Sequence, residues 1–543
     1  MKPLFIYNNE LPEIIFNQKP DITTPNLRAI GKIDCLHLPG QDRWNPAHAE
    51  IDQFLSSIQQ KDIAKIPMDM EGHYLACLQK GEKIYVFCDR LVLQPYYYEI
   101  TSKGVNFYQH ILDKEQTFHL NMPSARNFLI FRYVPSGQTL FEGFRQFMPG
   151  EFLCIDQKTG KIDRFFSNTF PPVILDKMEL PEARKQFHSL FGQAIEKRLS
   201  AYSDTEPILL PLSGGFDSRL ILAFLMEMIP VSRIIAYTYG EPGTYDYEIA
   251  KKIVKKFGIK HLKYPLNLDY FTLPELTQNC LDADGQINFV LEAPIKVYDE
   301  VLQHGTLTLS GNLGNRVMGD RIHPEKNATL TEKHDIFYLE NTCKDPCVIN
   351  MVKNTDLIED SFYFPIHEAS HLTLAERWNY INPITKYVNY CVYKRRVETE
   401  YISPFADFRL FDYMNALPRE WRDDAFFYRD FFVHWYPTFA AIPNSDFRGA
   451  PLNASRFHKE IAYHWDHVRM VLTSRYFRAN KIDFKRYRNH FLDLDELHNF
   501  AQKWLEPEMV EKIISKEQKL PVLYSMLALQ VLCENFNITY NHR

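Results

Sequence analysis

Cysteine is sparse and unpatterned in this chain: nine residues among 543, an odd number, with no C-x-x-C pair. A disulfide framework is therefore not expected. Cys343 and Cys347 lie close together, but no matching Cys/His pair follows, so a zinc site is not expected. Reduced, buried thiols are the reading left. Long apolar runs are missing too, and no stretch approaches the roughly 18 apolar residues needed to cross a bilayer. Met1-Lys2-Pro3-Leu4-Phe5 opens without a signal peptide's apolar region or cleavage site. A soluble cytoplasmic protein with no membrane partner is expected. Excess positive charge is also lacking. The formal net charge is −6, which lowers the case for a nucleic-acid partner. No internal repeat or low-complexity tract stands out.

What is present is core-forming material. Hydrophobic residues make up 45% of the chain and aromatics 14%, a composition suited to large packed cores. A chain of this length exceeds one core, so two domains are expected, 1–170 and 171–543. The first reads mostly as β, with strands near His73–Leu78, Lys83–Cys88 and Gly150–Ile155, and helices near Pro46–Gln60 and Met122–Phe131. Asn168-Thr169-Phe170-Pro171-Pro172 reads as a linker. Helical periodicity fills Leu180–Leu199. Strands and helices then alternate: strand Pro207–Leu212, helix Arg219–Met228, strand Val231–Tyr239, helix Tyr245–Phe257 closed by Gly258, strand His261–Pro265. That alternation predicts an α/β fold with a parallel sheet. Beyond about 325 the chain reads as mainly helical.

Ser213-Gly214-Gly215-Phe216-Asp217-Ser218 sits where the first of these strands passes into its helix. Paired glycines let backbone approach an anion, and the helix start offers N–H groups and a positive dipole end. The hydroxyls of Ser213 and Ser218 can donate to phosphate. Asp217 would repel phosphate by itself and makes sense as a Mg²⁺ ligand. The competing reading is an ordinary Gly-Gly turn with Asp217-Ser218 capping the helix. Position favours the ligand site, because α/β sheets bind ligands beyond their strand C-termini. This is not a Walker A loop.

The loop resembles the S-G-G-x-D-S motif of the asparagine synthetase family, whose relatives include β-lactam synthetases and lasso-peptide cyclases. Further matches run along nearly the whole chain. Ala236-Tyr237-Thr238-Tyr239-Gly240 is similar to the family's adenine-contacting strand, and Tyr245–Ala250 to its acidic helix start. Ser310-Gly311-Asn312-Leu313-Gly314-Asn315 falls on S-G-E-G-x-D, and Glu400–Asp407 on E-x-R-x-P-F-x-D. Glu71–Ala76, Asp89–Tyr97, Thr139–Phe144 and Met148–Gly150 resemble the family's class II glutamine amidotransferase domain. The resemblance implies an N-terminal Ntn-like αββα sandwich and a C-terminal adenine-nucleotide α-hydrolase-like (PP-loop ATP pyrophosphatase) sheet with a helical extension. It also implies ATP and Mg²⁺. Leu212, Ser213, Gly214, Gly215, Asp217, Ser218, Tyr237, Thr238, Tyr239, Gly311 and Asn312 would bind ATP or pyrophosphate. Asp217 and Asn315 would hold the metal.

Three departures qualify that picture. Class II glutaminases use an N-terminal cysteine; here Lys2 follows Met1, so no glutaminase activity is expected. Asn312 replaces the family's Glu and cannot act as a base, and Asn315 replaces a metal-binding Asp, with Asp320 or Asp246 as substitutes. The family's pyrophosphate-stabilising Lys falls on Ser445, three residues before Arg448, the candidate replacement, which could reach phosphate or equally face solvent. Two readings follow. One is an ATP-dependent ligase that joins a small-molecule or peptide carboxylate to an amine. The other is a nucleotide-binding protein that no longer performs ligation. Lys394-Arg395-Arg396 reads as a solvated helix face pairing with Glu398 and Glu400, and His367/His371 as ordinary histidines lacking a third ligand. The aromatic run Trp421–Trp435 reads as helix core, with substrate stacking as the lesser alternative.

Overall fold

A computed structural model describes residues 2–8, 13–38, 41–167, 174–175, 177–292, 295–319, 372, 374–392, 400–478, 481–514 and 520–540. The proposed linker, the boundary at 170/171, Cys343, Cys347, Asp320, His367, His371 and Lys394-Arg395-Arg396 with Glu398 lie outside the described residues.

The N-terminal region is built from two antiparallel sheets. One has the order Phe144–Gln146, Tyr97–Thr101, Gly104–Tyr108, Phe5–Asn8, Glu13–Phe16; the other runs from Ile162–Phe166 through Glu151–Asp156, Lys83–Cys88 and Met70–Lys80 to Leu27–Leu38 and Ile22–Thr23. Period-two alternation assigns each strand's faces. Along Met70–Lys80, Leu75 and Cys77 point into the core between the sheets, while Tyr74, Ala76 and Leu78 meet Ile51, Phe54 and Leu55 of helix His48–Ser57. On the other sheet, Tyr98 faces inward and Tyr97 faces outward into the cluster holding helix Met122–Phe131. The layers therefore run helix, sheet, sheet, helix.

Five strands form the second region, all parallel: Lys260–Pro265, Ile234–Gly240, Ile208–Pro211, Leu307–Leu309 and Glu400–Ile402, in that order. The central strand is apolar throughout because both faces are covered: Ile208 and Leu210 pack into one cluster and Leu209 into the other. Helices Leu180–Leu199 and Tyr245–Phe257 fall where periodicity placed them, the latter closed by Gly258 at φ +69°. Helix Asp217–Met228 starts two residues earlier than the periodicity suggested. The described C-terminal residues are mainly helical, as expected. Trp421–Trp435 is not one helix: Asp424 and Ala425 take φ of +51° and +52°, breaking it before Phe426–Trp435, whose Phe427, Tyr428, Phe431 and Phe432 are buried.

Buried polar contacts bind the two regions. Arg198 bridges Glu71 of the sandwich and Asp407 beside the parallel sheet. Asp284 accepts from Tyr97 Oη at 3.1 Å and from the Ile111 and Leu112 amides at 2.9 and 3.0 Å. Strand Ile538–Thr539 returns to pair with Phe118–His119. Among the described residues, no helix is long and apolar enough to cross a membrane.

Candidate functional site

The loop after strand Ile208–Pro211 is held by its own side chains and by distant segments. The Ser213 amide donates to Ser218 Oγ at 3.2 Å, and the Gly215 amide to Ser213 Oγ at 3.2 Å. The Gly214 amide donates to Asp246 Oδ1 at 2.9 Å. A side chain at Gly214 would sit 3.0 Å from that carboxylate and 3.1 Å from Ser445 Cβ, so close approach of neighbours requires glycine here. The same reasoning explains Gly311 and Gly314. A Cβ on either would lie 2.8 and 2.4 Å from Asp217 side-chain atoms, so the bare 311–314 backbone makes room for Asp217. Tyr428 Oη donates to Asp217 Oδ1 at 3.1 Å.

Arg219, which sequence reading passed over, braces the whole arrangement. It is fully buried, and its guanidinium donates to the carbonyls of Gly214 (2.9 Å), Pro443 (2.8 Å), Phe439 and Ile442 (both 3.2 Å). Burial pulls its pKa down to about 10, with Asp446 and Asp246 opposing, so it stays charged at neutral pH. It ties the loop to the segment carrying Ser445, whose amide also donates to the Gly214 carbonyl at 3.1 Å. An arginine just before the apolar run Leu220–Leu225 of helix Asp217–Met228 was the available signal.

Two cavities meet at the loop and share Ser213, Gly215, Asp217 and Asp246. The larger, about 330 Å³, is lined by Leu212, Tyr237, Thr238 and Tyr239 on one side and by Gly311, Asn312 and Tyr401 on another. Asn312 lines this cavity, and its Nδ2 is buried without a hydrogen-bond partner among the described residues. Glu292 and Lys481 also line it, 3.2 Å apart, and Tyr387 Oη donates to Glu292 at 2.9 Å. Burial alone would raise the Glu292 pKa; the Lys481 charge and the hydrogen bonds outweigh it and hold the carboxyl below its usual range. The smaller cavity, about 230 Å³, adds Asn315, Tyr428, Ser445, Asp446 and Arg478. Burial pushes the Asp246 carboxyl up, against hydrogen bonds from Ser445 and the Gly214 amide and the charge of Arg219.

The structure thus gathers Leu212, Ser213, Gly215, Asp217, Ser218, Tyr237, Thr238, Tyr239, Gly311 and Asn312 around one cavity and Asn315 around the adjoining one. Gly214 stands behind them, its amide committed to Asp246. Arg448, at φ +54°, lines neither cavity; its guanidinium lies 3.4 Å from the Tyr463 ring centroid and 3.7 Å from Asp466. Among the described residues, Lys481 lines the larger cavity and Arg478 the smaller.

The oxygen donors fit a magnesium ion. Asp217, Asp246, Asp446 and Asn315 line the smaller cavity, but the carboxylates are not gathered into a tight cluster. Magnesium is habitually held by one or two carboxylates plus phosphate oxygens and water, which matches such a spread set.

Residues 186–425 match the asparagine synthase family model. This segment belongs to the asparagine synthase family. Its five-stranded parallel sheet is the expected PP-loop-type fold. Curated relatives agree. A protein of Methanocaldococcus jannaschii, named as glutamine-hydrolyzing asparagine synthetase 2, is 24% identical over 274 residues, covering 46% of this chain and 50% of that protein. A protein of Acanthamoeba polyphaga mimivirus, named as a glutamine-hydrolyzing asparagine synthetase, is 27% identical over 196 residues, covering 35% and 33%. The microcin J25-processing protein McjC of Escherichia coli is 26% identical over 162 residues, covering 29% and 28%. The chain thus spans about half or less of each of these relatives.

Proposed function

We propose that this protein is an ATP-dependent amide-forming ligase. One observation carries the reading: Asp217 lies on the shared wall of two cavities, directly beneath a glycine loop at a strand–helix junction. Adenosine and the substrate carboxylate would occupy the larger cavity, and the β- and γ-phosphates the smaller. The carboxylate oxygen attacks the α-phosphorus of ATP, pyrophosphate leaves, and an amine then displaces AMP from the acyl carbon with loss of a proton. A carboxylate would otherwise have to expel oxide, so adenylation supplies the leaving group. Magnesium would neutralise phosphate charge when bound. Asp217 and Asn315 would face it, and Arg478 would take the pyrophosphate role expected of Arg448. Asn312 cannot accept the amine's proton. Glu292, ionised and in the same cavity, is the proposed acceptor, oriented by Tyr387 and Lys481.

The chain is read as two domains divided near 170. Glutamine hydrolysis is left out of the proposal: Cys35, Cys77, Cys88 and Cys154 of the sandwich are all buried in its strands. The substrate class is a small-molecule or peptide carboxylate with an amine. McjC's name, a peptide-processing protein, supports the peptide option. The neutral pair Asn312 and Asn315 favours the second reading, nucleotide binding without ligation. Carboxylate-dependent exchange of labelled pyrophosphate into ATP, measured with a panel of acids, separates the two. Exchange that Asp217→Asn abolishes supports the ligase. ATP binding with no exchange for any acid supports the second reading, and absence of ATP, AMP and pyrophosphate binding overturns both.

A further inference from the structure

A second cluster of ligating side chains lies in the sandwich, remote in sequence from the glycine loop. Strand Leu27–Leu38 pairs with Gln41–Trp44 as an antiparallel hairpin in which His37 stands opposite Asp42 and Cys35 opposite Trp44. Cys35 and His37 are two residues apart and share a face, and a directly opposed residue shares it too. The register therefore brings a thiol, an imidazole and a carboxylate together. His37 Nδ1 lies 3.9 Å from Cys35 Sγ and 3.0 Å from Asp42 Oδ1, and the three ligand atoms all fall within 4.8 Å of one another. Tetrahedral zinc with ordinary bond lengths sets S, N and O ligands roughly 3.3–3.6 Å apart, a spacing these contacts bracket.

One imidazole nitrogen cannot make a full bond to both neighbours, since Nδ1 carries a single proton or a single lone pair. An ion among the three satisfies them together and leaves His37 Nε2–H free to donate. That atom lies 3.0 Å from Glu71 Oε2. A carboxylate behind the imidazole is the usual outer support of a histidine ligand. Glu71 is itself fixed by the Phe408 amide at 3.0 Å and by Arg198, and Asp42 by Arg409 Nη1 at 3.3 Å. Charge agrees. Asp42, Glu71 and Asp407 against Arg198 and Arg409 leave one net negative charge, and a divalent ion with a thiolate supplies one positive. An imidazolium beside a neutral thiol gives the same sum, so the choice rests on Nδ1, which cannot bond both Cys35 Sγ and Asp42 Oδ1 by itself.

We infer that Cys35, His37 and Asp42 bind a zinc-type divalent ion, His37 through Nδ1, with a solvent molecule in the fourth place. The site sits at the seam where the hairpin meets Arg198 and the Phe408 helix start, so it fastens the sandwich to the parallel-sheet region. A C-x-H motif followed by Asp five residues later is its sequence signal.

The test uses the full-length protein, stripped with a chelator and titrated with Zn²⁺ and with Co²⁺. One equivalent of zinc per chain is expected, and the cobalt form should show a thiolate-to-metal charge-transfer band that Cys35→Ser removes. Glu71→Gln should weaken zinc binding by about 10–100-fold, while Asp217→Asn leaves it unchanged. Absence of stoichiometric zinc in the wild-type protein overturns the inference, as does a cobalt spectrum without the thiolate band or one indifferent to Cys35→Ser. The cluster would then be an imidazolium shared between Asp42 and Glu71.

Discussion

The sandwich and the parallel-sheet region use their motif residues differently. In the sandwich, Asp89 and Arg90 are consumed by the fold, while Glu71, His73 and Leu93 border a cavity of about 650 Å³. Asp89 is buried and caps its own turn through the Leu91 and Leu93 amides at 3.1 Å, and buried Arg90 pairs with Asp412. In the parallel-sheet region, Ser213, Asp217, Tyr237 and Asn312 line cavities. Geometry explains the contrast. Antiparallel hairpins return the chain at once, so polar groups at their turns meet other backbone. Parallel strands all end on one side, where loops and helix starts face open space. Asp407 is the exception on the C-terminal side: it serves the seam.

The largest effect should come from breaking that seam. Arg198→Met leaves the buried Glu71 and Asp407 carboxylates without their shared cation and should cost about 3–5 kcal/mol in denaturant unfolding. An unchanged midpoint would mean the two regions are not joined there. Next comes a paired test of the contrast itself. Asp217→Asn should lower pyrophosphate exchange about 10²–10³-fold, the scale of losing one preorganised electrostatic contact, with little change in stability. Asp89→Asn should do the reverse, costing about 1–3 kcal/mol with exchange within about twofold of wild type. If Asp89→Asn cripples exchange in a folded protein, the sandwich takes part in the chemistry.

These contrasts were partly legible in the sequence. Strand–helix alternation was, because burial on both faces writes an apolar run and a helix end writes its own cap, as at Gly258. The glycine loop was legible because it is local. The break at Asp424-Ala425 was not, since composition does not record a positive φ. Arg219, Glu292, Arg478 and Lys481 were invisible as a set: their meeting depends on segments up to about 220 residues apart, such as Arg219 reaching the Phe439 carbonyl.

The seam should also respond to acid. Burial alone would raise the Asp407 pKa, but Arg198 and Arg409 outweigh it and hold it at about 2, below its ordinary 3.8. A carboxyl depressed in the folded state stabilises fully above the ordinary value and loses that contribution as pH falls through the folded one. Stability should thus fall by about 2 kcal/mol between pH 4 and 2 from this group. Asp407→Asn should flatten that slope, and an unchanged slope would assign acid sensitivity elsewhere.

The smallest expected effect is the most discriminating for the cavity map. Arg448 stacks on Tyr463 at the exposed helix Arg456–Thr473 and pairs with Asp466. Arg478 instead shares the smaller cavity with Asp217 and Ser445. Arg448→Ala should therefore change pyrophosphate exchange by less than about twofold, the scale of a surface contact. Arg478→Ala should reduce it by about tenfold or more, the size of one charge-assisted phosphate contact. The reverse ranking would mean that the 444–450 turn swings inward when nucleotide binds, returning Arg448 to the role its place in the sequence suggested.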